Sequence, residues 1–396
     1  MFCVLICCLH AYGSTVTAAS CGASDVQTAI NSAHSGDAVV VPAGNCTWSS
    51  QVSIPNTKGI ILNGSGSVTI TNANISLNSN GSTPTEITGF KFVGSYSLST
   101  APAITASGCG GLATCGGTVT ALYQIDNNTF TDTTDQAIFI TVAGNGTGLI
   151  NNNTFTGGAA SEMIHNIGMG PSDASGWSDN VLPGAANMVY IETNTFTFNA
   201  TGNPAYFYGT SAVQSYYGSR TVFRYNTLNN AQVDQHGNCA QIGARWWEVY
   251  QNTFNVAVNG NQSNYMAIRD GSGVVFNNHV SDPQNNGGAG VVELTNDCTS
   301  GTYPLPDQIG RGISQAYSPS YVWGNDASMS IVAGSQFVLA NRDYFVSASE
   351  PSSMLRQELT TDNSSTTYQY VPYTYPYPVS GPPAPAPPSN LTANPQ

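Results

Sequence analysis

The chain has 396 residues and a formal net charge of −13. Only nine Lys and Arg residues stand against 22 Asp and Glu residues, which argues against a protein that binds DNA or RNA, because neutralising phosphates needs many cations. The 41 glycines and 21 prolines exclude a long helical bundle, since both residues break helices. The composition therefore predicts an all-β chain rich in Gly, Asn and Thr.

An apolar run over residues 2–9 opens the chain, and small residues follow it. This pattern predicts a secretory signal peptide over residues 1–20. The run is too short for a transmembrane helix, which needs roughly 20 apolar residues. We therefore expect a secreted, extracellular protein without membrane insertion.

Nine cysteines are present, and three of them lie inside the predicted signal, which leaves six. An even number of cysteines in an exported chain predicts disulfides. Pairing neighbours along the chain gives Cys21–Cys46, Cys109–Cys115 and Cys239–Cys298. The spacing contains no tight pairs of the kind that hold zinc.

The first predicted element after the signal is a short helix over residues 26–30, with Ser24 or Asp25 as its N-cap. A turn at residues 36–37, a buried strand over residues 38–41 and a second turn up to residue 44 follow it. Residues 58–66 and 87–92 are predicted to form the next strands. The helix is expected to cover the open end of the structure that these strands begin, because bare strand edges aggregate.

An asparagine motif then recurs along the chain. The repeated residues are Asn128, Asn153, Asn194, Asn226, Asn252, Asn278 and Asn325. The residue three positions before each of these is apolar, and so is the residue two positions after it. The residue two positions before is mostly polar or aromatic, and strand alternation places it on the outer face.

This repeat predicts a β-solenoid, in which each repeat forms one coil and the coils stack. The recurring Asn fits a turn whose side-chain amide bonds to the next coil, because Asn tolerates the left-handed backbone of tight turns. A β-sandwich with Asn-Thr turns is the alternative. The match of the apolar columns to the repeat favours the solenoid.

Residues 25–31, the turns at residues 36–37 and 41–44, residues 59–62 and the Asn-x-Phe repeats together resemble the pectate-lyase-like right-handed parallel β-helix superfamily. The likeness covers roughly residues 21 to 345. It implies an all-β fold, a right-handed parallel β-helix or solenoid with a short N-terminal capping helix. The superfamily includes polysaccharide lyases, glycoside hydrolases, epimerases and phage tailspikes. Its lyases often use Arg or Lys as the base and Ca²⁺ held by acidic residues, so Ca²⁺ is the cofactor that the resemblance implies.

The composition changes near the C-terminus. Residues 366–378 are rich in Tyr, Thr and Pro, and residues 380–388 form a proline-rich linker that should be extended. We therefore divide the chain into a signal peptide (1–20), a β-helix domain (21–365) and a tail or linker (366–396).

Arginines are concentrated in one part of the chain. Four of the seven, Arg220, Arg224, Arg245 and Arg269, lie within 50 residues. Stacked coils are about 4.8 Å apart, so neighbouring coils can present several cations to one ligand. Arginine recognises carboxylates through paired hydrogen bonds, which favours an anionic polysaccharide as the partner; structural ion pairs with Asp234, Glu248 or Asp270 are the alternative.

Candidate catalytic groups occur in the same stretch. Asp234 and His236 are two residues apart and so share a face of a strand; such a pair can position a general base. We predict Asp234, His236, Arg245 and Arg269 as catalytic residues. We predict that Arg220, Arg224, Tyr217, Trp246 and Asp270 bind the substrate. Glu162, His165 and Asp135 in preceding coils, and the rings of Tyr216, Trp247 and Tyr265, are further candidates for the same face.

Two reactions fit these residues. In β-elimination, a base removes the proton next to a uronate carboxylate, and a cation stabilises the charge that develops. An Arg base is awkward because its pKa exceeds about 12, so His236 is the easier base. In hydrolysis, two carboxylates flank the bond, and Asp234 with Asp270 or Glu248 are the candidates. The signatures of the hydrolases in the superfamily are incomplete here.

The sequence thus predicts a secreted, monomeric enzyme that acts on an extracellular, anionic polysaccharide. A lyase is favoured over a glycoside hydrolase. A carbohydrate-binding surface protein or adhesin without catalysis is the third hypothesis.

Overall fold

The computed structural model of the chain describes residues 13–78, 84–96, 101–107, 122–132, 137–143, 147–158, 162–168, 183–198, 211–237, 242–255, 264–281, 291–296, 298, 300–359 and 366–378. The predicted disulfide Cys109–Cys115 and the candidate Asp135 lie outside them.

The N-terminal helix forms as expected but begins earlier. Helix α1 is Ala23–Ser32, and its N-cap is Gly22, with no side-chain cap bond. Neither Ser24 nor Asp25 is the N-cap, because both already lie inside the first helical turn. The apolar side chains of Val26 and Ile30 are buried, and the helix packs against the first strands of both long sheets.

The larger of the two long sheets has 19 strands and is called the large sheet. Its strands are β1 (Thr15–Thr17), β2 (Ala38–Val40), β3 (Gly44–Thr47), β5 (Ile61–Thr71), β7 (Thr85–Gly94), β9 (Leu122–Asp126), β10 (Thr129–Asp132), β12 (Thr147–Asn151), β13 (Thr154–Gly157), β15 (Val189–Glu192), β16 (Thr195–Phe198), β18 (Arg220–Arg224), β19 (Thr227–Asn229), β21 (Trp246–Tyr250), β22 (Thr253–Asn255), β24 (Ser272–Phe276), β25 (His279–Ser281), β27 (Ser320–Trp323) and β29 (Tyr344–Ser347).

The second long sheet has ten strands and is called the small sheet. Its strands are β4 (Val52–Ile54), β6 (Ile75–Leu77), β8 (Ile104–Ser107), β11 (Ile140–Ala143), β14 (Glu162–Ile167), β17 (Ser211–Tyr216), β20 (Gln232–Gln235), β23 (Asn264–Ile268), β26 (Val291–Leu294) and β28 (Ser330–Ala333). An antiparallel pair, β30 (Met354–Leu355) and β31 (Thr367–Tyr368), and two 3-10 turns, Ile313–Gln315 and Gln357–Leu359, complete the described elements.

Every strand of the two long sheets pairs in parallel with the equivalent strand of the next coil. The repeats stay in register: Phe130 pairs with Phe155, and Phe155 with Phe196. A typical coil runs through one strand of the large sheet, the asparagine turn, a second strand of that sheet and one strand of the small sheet. The prediction of a right-handed parallel β-helix with an N-terminal capping helix is confirmed.

The repeated asparagines form the expected ladder. Asn153 donates through Nδ2 to Asn194 Oδ1 at 3.0 Å, and the backbone N–H of Asn153 donates to the same oxygen at 2.9 Å. The ladder continues through Asn226, Asn252, Asn278 and Asn325. The left-handed residue of each turn, however, is the one before the ladder asparagine, for example Asn152 (φ 54°) or Gln251 (φ 56°).

The apolar columns beside the ladder point into the solenoid, as the repeat predicted. Phe130, Phe155 and Phe196 stack with ring centroids 4.8 Å apart at each step. This spacing equals the separation of neighbouring strands, so each coil contributes one ring to a continuous core. The aromatic column therefore fixes the stacking of the coils as well as burying apolar surface.

The column two positions before each ladder asparagine faces outward but is not exposed. Tyr250, Phe276 and Trp323 stack on one another with centroids 4.5 and 4.4 Å apart, and each is at least 94% buried. Residues 366–378 cover them: Tyr370 and Tyr377 are buried in the same cluster. This tyrosine-rich segment thus packs on the outer face of the large sheet.

The predictions that concern export are the disulfides, the signal peptide and the lack of a membrane-spanning helix. Cys21 and Cys46 form the expected disulfide, and Cys298 is disulfide-bonded, although its predicted partner Cys239 lies outside the described residues. Residues 15–17, which fall in the predicted signal, form β1 and pair with β2. Among the described helices, none has the length and apolar character needed to span a bilayer.

Candidate functional site

A polar track runs along the outer face of the small sheet. Register places one outward residue per coil in a single column, beginning with Ser53, Ser76, Thr105, Thr141 and His165 and continuing with Gln214, Asp234, Ala267 and Glu293. The neighbouring positions in each strand point inward and are apolar in most coils, as strand alternation requires. A second outward column lies two residues further along each strand.

Asp234 and His236 lie side by side in these two columns. His236 Nδ1 is 3.3 Å from Asp234 Oδ2, and Gln214 Nε2 donates to the same carboxylate oxygen at 3.1 Å. The Asp234 side chain is 3% exposed, whereas that of His236 is 20% exposed. A carboxylate at Nδ1 favours a proton on that nitrogen, which leaves Nε2 to accept a proton.

Arg269 joins this pair from the next coil. Its Nη2 lies 3.5 Å from Asp234 Oδ2, and its side chain is 26% exposed. The first-column residue of the same coil is Ala267, between Asp234 and Glu293. Ala267 is only 4% exposed, so Arg269 is the more accessible of the two outward residues of this coil.

Tyr216 lies on the other side of His236, with ring centroids 4.5 Å apart. Burial raises the pKa of the Tyr216 hydroxyl well above its ordinary value, and the nearby carboxylates of Glu162 and Asp234 raise it further. The phenol therefore keeps its proton at neutral and alkaline pH. Tyr217 packs against Tyr216 with centroids 5.3 Å apart.

A second histidine–carboxylate pair borders Tyr216 one coil earlier. His165 Nε2 contacts Glu162 Oε2, and the ring of His165 meets that of Tyr216 edge-on at 5.8 Å. The His165 side chain is 4% exposed and that of Glu162 is 28% exposed. We call Glu162, His165, Gln214, Tyr216, Tyr217, Asp234, His236 and Arg269 the small-sheet cluster.

Four of the nine residues predicted from the sequence thus meet in the small-sheet cluster. They are Asp234, His236, Arg269 and Tyr217. Asp270 lies just beyond Arg269, but it is 2% exposed and its Oδ1 accepts a hydrogen bond from Asn296. Asp270 is therefore almost closed off from solvent and is engaged with the side chain of Asn296.

The structure places Arg245 elsewhere. Its side chain is 0% exposed, and its Nη2 donates to Glu358 Oε2 at 2.7 Å. Burial lowers the pKa of Arg245 to about 10. A guanidinium that is closed off from solvent in this way cannot reach a substrate, so the expectation that Arg245 shares a groove with Asp234 and Arg269 is not met.

Arg220, Arg224 and Trp246 lie on the outer face of the large sheet. Arg224 is 0% exposed; it pairs with Glu192 at 2.7 Å and donates to the carbonyl oxygens of Tyr373 and Thr374. Trp246 is buried beneath the guanidinium of Arg356, 4.7 Å from its ring centroid. Arg220, 6% exposed, is in register with Trp246. Arg224 thus has a structural ion pair, but with Glu192 and not with Asp234, Glu248 or Asp270; the pair that matches this alternative is Arg269 with Asp234.

The sequence reasoning did not single out Gln214 or Ala267. Both occupy the first outward column, and aligning the small-sheet strands on Asp234 would have found them. No motif marks these strands, however, because the asparagine repeat belongs to the large sheet. Variable connections precede each small-sheet strand, so their register cannot be counted from the repeat.

The cluster does not fit the Ca²⁺ that the resemblance implied. In the described part of the chain, no three His, Cys, Asp or Glu side chains are arranged to hold a metal ion. In the cluster, Asp234 Oδ2 faces the guanidinium of Arg269, which would repel a dication. Ca²⁺ stays a prediction from the sequence, and no chemical step below depends on it.

Comparison with known proteins shows likeness in fold. No protein-family model matches the chain, and no curated protein matches it significantly. One similar solved structure is a PL6 family alginate lyase, AlyGC, with a TM-score of 0.43 and 11% identity over 92% of this chain. This chain spans only 57% of the length of that lyase.

Two further solved structures are similar. The alginate lyase AlyF-OU02, in a complex, has a TM-score of 0.41 and 14% identity, covering 78% of this chain and 72% of its own. An alginate lyase from Paenibacillus sp. strain FPU-7 has a TM-score of 0.35 and 12% identity, covering 84% of this chain and 95% of its own. At TM-scores of 0.35 to 0.43 and identities of 11 to 14%, these comparisons carry no conclusion about what this chain does.

Proposed function

We propose that this protein is a secreted polysaccharide lyase that cleaves an anionic, uronate-containing polysaccharide by β-elimination. The observation that carries the proposal is the convergence of His236, Asp234, Arg269 and Tyr216 on the outer face of the small sheet. Together they supply a base, a group that orients it, a cation and a proton donor at one partly exposed place.

Arg269 is proposed to bind the uronate carboxylate. Its planar fork of N–H groups suits a carboxylate, and 26% of its side chain is exposed. Holding the carboxylate against a cation stabilises the negative charge that develops when the neighbouring carbon loses its proton. Asp234 remains in contact with Arg269 and fixes its position.

His236 is proposed to be the base. Asp234 lies at Nδ1, so Nε2 is the ring nitrogen that accepts the proton from the carbon next to the carboxylate. The electron pair of that C–H bond forms a carbon–carbon double bond, and the bond to the glycosidic oxygen breaks. The departing oxygen takes a proton from the Tyr216 hydroxyl, which stays protonated because its pKa is raised.

The setting of the reaction is part of the proposal. The disulfide Cys21–Cys46 suits an oxidising compartment, which supports export to the extracellular space. The partner is an extracellular polysaccharide, and the enzyme acts as a monomer.

The test is to incubate the purified protein with alginate, pectate, glucuronan and chondroitin, with alginate first because the similar structures are alginate lyases. Elimination creates an unsaturated sugar, so ultraviolet absorbance should rise with each bond cleaved on at least one substrate. Reducing ends without that absorbance would overturn elimination in favour of hydrolysis. Binding without either signal would favour a carbohydrate-binding protein.

A further inference from the structure

Two carboxyl groups meet on the outer face of the large sheet. Asp126 is the last residue of β9 and stands two positions before the ladder residue Asn128. Glu86 lies on β7 in the neighbouring coil, in register with Gln124. Its side chain therefore reaches Asp126 diagonally across the two strands, and the two carboxyl groups are in hydrogen-bond contact. Two negative charges this close repel each other unless a proton or a cation lies between them.

Two buried oxygen atoms in the column of Asp126 accept no hydrogen bond within the described part of the chain. One is Oδ1 of Asp126, a residue that is 4% exposed, and the other is Oδ1 of Asn151. Asn151 is in register with Asp126 in the next coil, about 4.8 Å away along the sheet. A buried acceptor without a partner costs free energy. What completes these two oxygen atoms is therefore a donor or a cation.

The second oxygen of Asp126 already has its donors. Gln124 Nε2 donates to Asp126 Oδ2 at 2.9 Å, and Asn127 Nδ2 donates to the same oxygen at 3.0 Å. These two amides fix the carboxylate in one orientation and leave Oδ1 for another partner. A ligand group that is positioned in advance loses little conformational entropy when an ion binds.

The next carboxylate on this face shows how such a charge is balanced elsewhere. Glu192, in register with Asn151, pairs with Arg224 at 2.7 Å and accepts from the N–H of Tyr377. All nine lysines and arginines lie in the described part of the chain, and none of them there affects the pKa of Glu86 or Asp126. The chain therefore supplies a cation for Glu192 and none for this pair.

The available oxygen atoms are those that a hard divalent cation prefers. Carboxylate and amide oxygens are common Ca²⁺ ligands, and water completes the coordination where protein ligands are few. Glu86 and Asn151 are partly exposed, which gives an ion and its water ligands access from the solvent. A divalent cation would neutralise both carboxylates and occupy both buried acceptors at once.

We infer that Glu86, Asp126 and Asn151 form a binding site for a divalent cation of the Ca²⁺ type on the outer face of the large sheet. The site is separate from the small-sheet cluster, and it does not rest on the proposed lyase function. The cation would join β7, β9 and β12 across three successive coils, as the ion pair of Glu192 with Arg224 joins two coils further along.

The test is thermal unfolding of the chelator-treated protein near pH 8 over a series of CaCl₂ concentrations. The melting temperature of the wild type should rise by about 2–3 °C at about 10 mM CaCl₂, which corresponds to a Kd of about 10⁻⁴–10⁻³ M, a range found in extracellular Ca²⁺ modules. Glu86→Gln keeps the shape of the side chain and removes one charge, so it should bind at least about 10-fold more weakly. Glu350→Gln removes the same charge at an exposed position and should respond as the wild type does.

Two further measurements keep the outcomes distinct. With chelator present, Glu86→Gln should be no less stable than the wild type, because it removes a repulsion, so a lost response to Ca²⁺ would not reflect poor folding. Asn151→Ala keeps both carboxyl groups and should weaken binding about 3- to 10-fold, the size expected for one neutral ligand. An equal rise in Glu86→Gln and the wild type would overturn the site. So would a wild-type rise no larger than that produced by NaCl at the same ionic strength, which would leave the pair with a shared proton.

Discussion

The outer faces of the two long sheets carry similar side chains in different surroundings. On the large sheet, Arg224 pairs with Glu192, and both side chains are at most 1% exposed. On the small sheet, Arg269 lies beside Asp234 and keeps 26% of its side chain exposed. The same kind of ion pair therefore holds the fold together on one face and remains accessible to a ligand on the other.

The tyrosine-rich segment makes the difference. Residues 366–378 cover the outer face of the large sheet, and Arg224 donates to the carbonyl oxygens of Tyr373 and Thr374. A buried charge needs such partners, because removing it from water is expensive. In the described residues, no equivalent segment packs on the small-sheet cluster, where the side chains of His236 and Arg269 keep 20% and 26% of their surface exposed.

The largest effect on activity is expected from removing the proposed base on the small sheet. His236→Ala should lower the rate of elimination by about 10²- to 10⁴-fold, the contribution typical of a general base. The melting temperature should stay within about 2 °C of the wild type, because the ring is partly exposed and surface substitutions have small effects. Ultraviolet absorbance of the product and thermal unfolding measure the two quantities.

His279→Ala is the control for that variant. His279 is another histidine beside a carboxylate, with a side chain 61% exposed next to Asp326, and it lies on the large sheet. Its removal should leave the rate unchanged. Equal activity of His236→Ala and His279→Ala would refute the assignment of the base.

The same Arg-to-Lys substitution, made once on the outer face of each sheet, tests the difference between the two faces directly. Arg269→Lys should reduce kcat/KM about 10- to 100-fold with little change in stability, because lysine cannot offer the planar fork. Arg224→Lys should instead destabilise the fold by about 2–4 kcal/mol, since Glu192 and two carbonyl groups would lose buried partners. Steady-state kinetics and urea unfolding of both variants supply the readouts. A loss of stability in Arg269→Lys equal to that in Arg224→Lys would erase the distinction between the faces.

Much of the fold is predictable from the sequence because every coil of the solenoid needs the same packing and the same hydrogen bonds at the same positions. Each ladder asparagine satisfies backbone groups of the neighbouring coil, so the same residue is needed at the same place in every coil. Phe130, Phe155 and Phe196 recur for the same reason. The helix boundary was missed because Gly22 caps α1 without any side-chain bond, so no capping residue marks it.

The site was predictable only in part. Asp234 and His236 share a strand face by simple alternation, and Arg269 follows in the next coil. Arg224 and Arg245 belong to the same run of arginines, but both pair with buried carboxylates: Arg224 with Glu192 in the register position of the preceding coil, and Arg245 with Glu358, 113 residues away along the chain. The partners of Arg224 in residues 373–374 are even more distant. Clustering of arginines along the chain cannot reveal which of them the tail and the later turns cover.

A conservative substitution in the tyrosine-rich segment tests which contact holds this segment on the outer face of the large sheet. Tyr370 donates its hydroxyl to Glu248 Oε2 at 2.5 Å, and both groups are buried. Tyr370→Phe keeps the ring but leaves the carboxyl of Glu248 with one donor fewer, which should cost about 1.5–3 kcal/mol. The free energy of unfolding in urea measures the loss, and activity of the folded protein should not change.

Tyr375→Phe gives the matched comparison, because Tyr375 is 42% exposed and belongs to the same segment. Its effect should stay below about 0.5 kcal/mol. If the two variants were equally stable, the contact between Tyr370 and Glu248 would not hold the segment on the sheet.

The smallest expected effect concerns a carboxyl pair on the large sheet outside the covered cluster. Burial, and secondarily the charge of Asp126, raises the pKa of Glu86 to about 7. A carboxyl with a raised pKa in the folded state contributes stability below its unfolded pKa, and this stability is lost as the pH rises through about 7. Glu86→Gln should therefore match the wild type near pH 4 and exceed its unfolding free energy by about 1 kcal/mol near pH 8, allowing for partial solvent screening.

Urea unfolding at both pH values checks the sign, with Glu350→Gln at an exposed position as the control that should show no such trend. A stability difference that does not grow with pH would mean that Glu86 is ionised beside Asp126 in the folded protein.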